Sequence, residues 1–145
     1  MYQIRPWLFV GKYRETANRT ILNTHQITAM LQLAEAVEQP GITSLYLPVE
    51  DGEPLPYDLL AKGVTFVSQQ KMAGARILIA CGAGISRSVT FAIAVLHEEE
   101  GISLLDAFHD IHSIHPDALP HYELWYSLCE RYHENVPFER LWDVR

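Results

Sequence analysis

Cysteine is scarce in this sequence of 145 residues, which carries two, Cys81 and Cys129. Two cysteines cannot build the disulfide framework of a small secreted domain, so the expectation is a pair of reduced thiols in the cytoplasm. Positive charge is also short: 11 Lys and Arg stand against 18 Asp and Glu, for a formal net charge of -7. No basic stripe is present of the kind that neutralises nucleic-acid phosphates, and an anionic membrane would repel such a surface on average. Long hydrophobic runs are missing. The longest apolar zone, around Val89 to Leu96, is too short to cross a bilayer, and the opening MYQIRPWLFVGKYRE lacks the continuous apolar segment of a secretion signal. Repeats, low-complexity tracts and linker-like segments are absent too. These gaps exclude nucleic acid and membrane as expected partners.

What remains is one ordinary domain, residues 1–145, with 48% apolar residues. A chain of this length hides roughly two-thirds of its unfolded surface. YQIRPWLFVG alternates and ends at Gly11, which predicts a bent strand or two short ones. ETANRTILNTHQ reads as a short helix and loop. ITAMLQLA and TSLYLPV read as strands, separated by the loop EAVEQPG. Leu55 to Met72 has helical spacing, with Pro56 suited to the first turn. RILIAC is a short apolar strand of the fully buried kind. Helices follow over Ser86 to Glu100, stopped by Gly101; from a Ser103 cap to about His115; and over His121 to His133. Strands first and helices later, with a strand-loop-helix unit between, predict an α/β domain: one central sheet layered with helices.

That middle unit, LIACGAGISRSVTF over residues 78–91, holds the chemistry. Cys81 ends a buried strand, and Gly82, Ala83, Gly84, Ile85 and Ser86 lead into a helix. Backbone N–H groups converge at such a junction and, with the helix dipole, form an anion site. Gly82 and Gly84 permit positive φ and close approach of a phosphate to the backbone. Arg87 supplies a planar fork for two phosphate oxygens. A thiol facing these donors is favoured as its thiolate, a nucleophile for phosphoryl transfer. A cysteine six residues before an arginine is common by chance. The preceding strand, following helix, intervening glycines and Ser88 outweigh the plainer reading of a core cysteine beside a tight turn.

Cys-x-Ala-Gly-Ile-Ser-Arg-Ser resembles the active-site loop of the dual-specificity protein phosphatases, within the cysteine-dependent protein tyrosine phosphatase superfamily. The resemblance extends over most of the chain: IRPWLFVG resembles the family's opening strand, LNTHQITAMLQLA matches its Leu-x3-x-Ile-Thr-x-x-Leu-x-Leu pattern, and GISLLDAFHDIHSIHP is similar to its two-helix stretch ending in proline. It implies a mostly parallel central sheet flanked by helices, a cysteinyl-phosphate intermediate, no cofactor and no metal. It also implies an aspartate acid about thirty residues before the cysteine. Asp51, in PVEDGEP, stands 30 residues before Cys81. Glu50 and Glu53 are rivals, while Asp58 reads as a first-turn helix acid. Ser88 matches the hydroxyl that stabilises the departing thiolate. The resemblance breaks at Ala80, where the family has a histidine that orients the loop and helps keep the thiol ionised.

The expected activity is hydrolysis of phosphotyrosine in a protein or peptide, with phosphoserine and phosphothreonine as further substrates, by a chain most simply monomeric. Alternatives are a phosphopeptide-binding pseudophosphatase, a phosphatase of a non-protein ester, and a sulfurtransferase, whose loop also begins with cysteine. The absence of lysine from Gly82 to Ser86 weighs against a phosphoinositide specialist. His109, His112 and His115 recur every three residues, but they drift around the helix and no cysteine or carboxylate cluster completes a metal site. SIHPDALPH is expected at the pocket edge by the same resemblance. Cys129, Trp7, Trp125 and Trp142 are read as packing residues.

Overall fold

The computed structural model describes residues 1–143. Strands β1 (Tyr2–Arg5), β2 (Leu8–Lys12), β3 (Ala29–Gln32), β4 (Thr43–Tyr46) and β5 (Ile77–Cys81) form one sheet in the order β1-β2-β5-β3-β4. Only the β1–β2 pair is antiparallel; β5 lies in the middle, parallel to both β2 and β3. Parallel neighbours need crossovers, and the helices α1 (Tyr13–Thr16), α2 (Arg19–Thr24) and α3 (Tyr57–Met72) lie in those connections. Beyond β5 come α4 (Arg87–Glu100), α5 (Leu104–Ile114), α6 (Tyr122–Tyr132) and a 3-10 helix, Phe138–Trp142.

The ILIAC run is buried at every position because both faces of β5 are covered. Alternation splits it. Ile77, Ile79 and Cys81 enter a large core with residues of α3 to α6, whereas Leu78 and Ala80 enter a small core with Phe9, Leu22, Ile27 and Met30. Helix α4 is buried continuously from Ser88 to Leu96, as a helix that is apolar around most of its girth must be. Gly101 ends it with φ of 69°.

The strands at 27–34 and 43–49 are shorter than their apolar runs suggest, since only Ala29–Gln32 and Thr43–Tyr46 pair. Pro56 is the cap residue of α3 and not part of its first turn. Ser103 caps α5 as expected, accepting from the Asp106 amide. The 3-10 helix has no counterpart in the sequence reading. Trp125 is fully buried and donates from its indole to the Val136 carbonyl at 2.8 Å, while Trp142 is exposed. Cys129 is also buried, and that burial pushes its thiol up, as fits a packing residue.

One ion cluster fastens the edge strand to the helical layer. Arg5 donates to both carboxylate oxygens of Glu100, at 2.8 and 2.7 Å, and to Asp110 at 2.7 Å. The hydrogen bond from Arg5 holds the Glu100 carboxyl below the usual range, against the opposing effect of burial. A depressed carboxyl contributes stability above its unfolded pKa and loses it as pH falls through the folded value. Arg5→Ala should therefore cost about 1 kcal/mol near neutral pH. Thermal melts across acid pH should show the wild-type advantage shrinking as Glu100 protonates.

Candidate active site

The loop between β5 and α4 is shaped by contacts made outside it. Gly84 has φ of 72°, and a β-carbon there would lie 2.9 Å from the Gly11 carbonyl carbon and oxygen. Only glycine satisfies both demands. Gly82 is not in the positive-φ region; its missing side chain matters because a β-carbon would sit 3.0 Å from Arg87 Nη2. The two glycines thus serve different ends, one the backbone turn and the other the guanidinium.

Two loop carbonyls are held by donors from the α5–α6 connection. His115 Nε2 lies 2.7 Å from Gly84 O, and the Leu119 amide donates to Ile85 O at 3.0 Å. A carbonyl only accepts, so Nε2 of His115 carries a proton. The imidazole is 3% exposed and stacks on Tyr2 at a centroid distance of 3.9 Å. In a planar trans peptide the C=O and N–H point opposite ways. Fixing the carbonyls of Gly84 and Ile85 toward these donors directs the next amides to the other side, as an anion cradle requires.

Cys81 is 2% exposed, and its Sγ lies 3.2 Å from Ser88 Oγ in the first turn of α4. Ser88 is itself fully buried, and its hydroxyl oxygen accepts from the thiol. Arg87 Nη1 donates to the Val49 carbonyl at 3.0 Å. This bond joins the phosphate clamp to the segment that carries Asp51. Ser86 makes the second junction: its hydroxyl donates to Asp51 Oδ1 at 2.7 Å and accepts from the His121 amide at 2.8 Å. Ser86 occupies the cap position of α4 but makes no side-chain cap bond. Its hydroxyl is used on the neighbouring loops, and the first helical amides stay free for an anion.

These groups share one pocket of about 440 Å³, lined by Asp51, Cys81, Ala83, Ile85, Ser86 and Arg87 and walled by Leu119, Pro120, His121, Tyr122 and Phe138. Asp51 lines it; Glu50 and Glu53 do not, and Asp58 sits in the first turn of α3. The segment around Asp51 is tied down at Val49, at Asp51 and at Leu55, whose amide donates to Ser127 Oγ at 2.9 Å. Leu119, Pro120 and His121 do line the pocket edge. Sequence reading missed the anchoring by His115, the bridging by Ser86 and the wall from Phe138. His109 Nε2 is buried without a hydrogen-bond partner, and among the described residues no three His, Cys, Asp or Glu side chains are grouped to hold a metal.

A mostly parallel sheet whose central strand delivers a cysteine into a glycine-bearing anion loop, with an arginine opening the next helix, defines a phosphatase-type α/β domain. Residues 8–134 match the dual specificity phosphatase catalytic domain family, and the chain belongs to that family. It is 26% identical over 135 residues to mouse dual specificity protein phosphatase 8, covering 88% of this chain and 20% of that protein. It is 30% identical over 125 residues to rat dual specificity protein phosphatase 12, covering 80% of this chain and 36% of that protein. The chain therefore spans about a fifth to a third of the length of these curated relatives. The crystal structure of human DUSP28 superposes with a TM-score of 0.83 at 25% identity, covering 92% of this chain and 95% of that one.

At Ala80, where the resemblance implies a histidine before the cysteine, the side chain is enclosed by the fold. Ala80 is 2% exposed and faces the small core of Phe9, Leu22, Ile27, Met30 and Leu78. The adjacent position on β3 is Gln32, which is buried and exchanges two hydrogen bonds with the Val37 backbone, both at 2.9 Å. Ala80→His should overpack this core and cost about 1–3 kcal/mol. The expected result is a lower melting temperature; a mutant as stable as wild type would show that the small core accommodates an imidazole.

Proposed function

We propose that the chain hydrolyses phosphate monoesters on proteins, phosphotyrosine above all, with phosphoserine and phosphothreonine as further substrates. The observation that carries this reading is the convergence of Cys81, Arg87 and Asp51 on one pocket, with the segment 49–51 tied to the loop by the Ser86–Asp51 and Arg87–Val49 hydrogen bonds. The substrate phosphate sits against the amides of Gly82 to Ser86 and the guanidinium of Arg87. Cys81 Sγ attacks phosphorus; the S–P bond forms, and the ester P–O bond breaks with its electron pair going to the leaving oxygen. Asp51, entering as the acid, protonates that oxygen. Water then attacks phosphorus, giving a proton to the Asp51 carboxylate, and the S–P bond breaks. The Ser88 hydroxyl, 3.2 Å from the sulfur, stabilises the thiolate as it leaves. We also propose a cytoplasmic setting, in which a catalytic thiol stays reduced.

Cys81→Ser should abolish turnover of phosphotyrosine peptides while orthovanadate or phosphate still binds, because a hydroxyl is a far weaker nucleophile but the amides and Arg87 remain. Retained hydrolysis above a small fraction of wild type would remove Cys81 from the chemistry. A wild type that binds phosphopeptides without turnover would leave a binding module in place of an enzyme.

Asp51→Asn should slow hydrolysis of a phosphotyrosine peptide by about 10²–10⁴-fold, the usual worth of a positioned acid. p-Nitrophenyl phosphate, whose leaving group needs less protonation, should suffer less. Comparing the two substrates checks the assignment; the same pattern in Glu50→Gln or Glu53→Gln would transfer the role.

A further inference from the structure

Phe138 stands beyond residue 134, where the family match ends, yet it lines the pocket that holds Cys81. It opens the 3-10 helix Phe138–Trp142, and that helix is firmly seated. Leu141 is 1% exposed in the core, the Phe138 amide donates to the Tyr126 hydroxyl at 3.1 Å, and the Trp125 indole holds the Val136 carbonyl just upstream. The Phe138 ring meets Tyr122 edge-on, at a centroid distance of 6.4 Å and 69° between planes. Tyr122, which also lines the pocket, is 52% exposed. An apolar surface that is fixed in place and open to water gains from being covered.

From this we infer that Phe138 and Tyr122 are specificity-determining residues that grip the aromatic ring of a phosphotyrosine side chain. The inference rests on the phosphatase reading for the position of the phosphate, which is seated at the loop beside Cys81 and Arg87. Outward from there, a tyrosyl substrate places a flat ring where the pocket offers aromatic walls. A seryl or threonyl substrate places only the short Cβ link there, and its backbone would meet the pocket mouth. Aromatic pairs prefer edge-to-face or offset contact, and two rings already set at a steep angle to one another offer a third both a face and an edge. The catalytic loop thus recognises the phosphate, while Tyr122 and, from beyond the family match, Phe138 recognise the group that bears it.

The test reads binding, so it does not depend on turnover. Calorimetry on Cys81→Ser, with and without Phe138→Ala, would use a phosphotyrosine peptide, the same peptide with phosphothreonine, and inorganic phosphate. Loss of the wall should raise the Kd of the phosphotyrosine peptide about tenfold, the scale of one aromatic contact. The Kd values of the phosphothreonine peptide and of phosphate should move by less than about twofold. Tyr122→Ala, at a more exposed position, should show the same selectivity in smaller measure and guards against a misfolded Phe138→Ala. Equal weakening of all three ligands in a variant that melts normally would mean that the wall props the loop and does not hold the ring. Unchanged phosphotyrosine affinity in both variants would overturn the inference. Failure of wild-type turnover alone would sink the enzymatic reading and leave the binding comparison standing.

Discussion

The Gly84 and Ile85 carbonyls point where they do because His115 and Leu119 hold them there, and the rest of the site follows from that orientation. A peptide group whose oxygen is captured on one side presents its N–H on the other. Each such bond is worth only about 0.5–1.5 kcal/mol net. Their effect is directional: without them the loop amides would be free to turn toward water or toward one another. An anion then finds donors already aligned and need not pay for ordering them, which is what makes a short loop a strong phosphate site.

A second constraint brings in the acid. Asp51 and Cys81 lie on different connections of the sheet, and nothing in local sequence would join them. Ser86 does so with one hydroxyl, donating to Asp51 and accepting from the His121 amide, so that three segments meet at one oxygen. The bond from Arg87 to Val49 repeats the linkage two residues upstream. The clamp, the acid and the loop are therefore positioned as a unit. A helix cap is normally worth about 1 kcal/mol. Here Ser86 forgoes that local bond for the longer-range one, a conflict of the kind found where function constrains a fold.

The strand-loop-helix unit was legible in the sequence because its signals are local. An apolar run of fixed length, glycines at the turn and an arginine at the first helical residue all fall within residues 77–88. The helices declared themselves by period and by caps such as Ser103 and Gly101. Asp51 was found by its distance from Cys81 together with a family resemblance, since no local feature separates it from Glu50 and Glu53. The anchoring by His115, the bridging by Ser86 and the wall from Phe138 escaped for a common reason. Each acts through a partner remote in sequence, and a histidine spaced among other histidines suggests a metal or a surface before it suggests a clamp on a carbonyl. The short 3-10 helix carries too little periodicity to be read at all. Gly82 was assigned the right importance on the wrong ground, because backbone freedom and side-chain clearance both select glycine and sequence cannot separate them.

Ala80, where the resemblance implies a histidine, occupies a position set by packing. Position 80 alternates with Cys81, so its side chain faces the small core while the sulfur faces the large one. Any influence it had on the thiol would run through the backbone and the loop beyond. In this chain the loop is fixed from the opposite direction, by donors reaching in from the α5–α6 connection. The sulfur meanwhile has its own buried partner in Ser88. With loop shape and the thiol's partner both supplied from the helical layer, the position before the cysteine is left to packing, and a small residue that closes the core over Phe9 and Met30 meets that requirement.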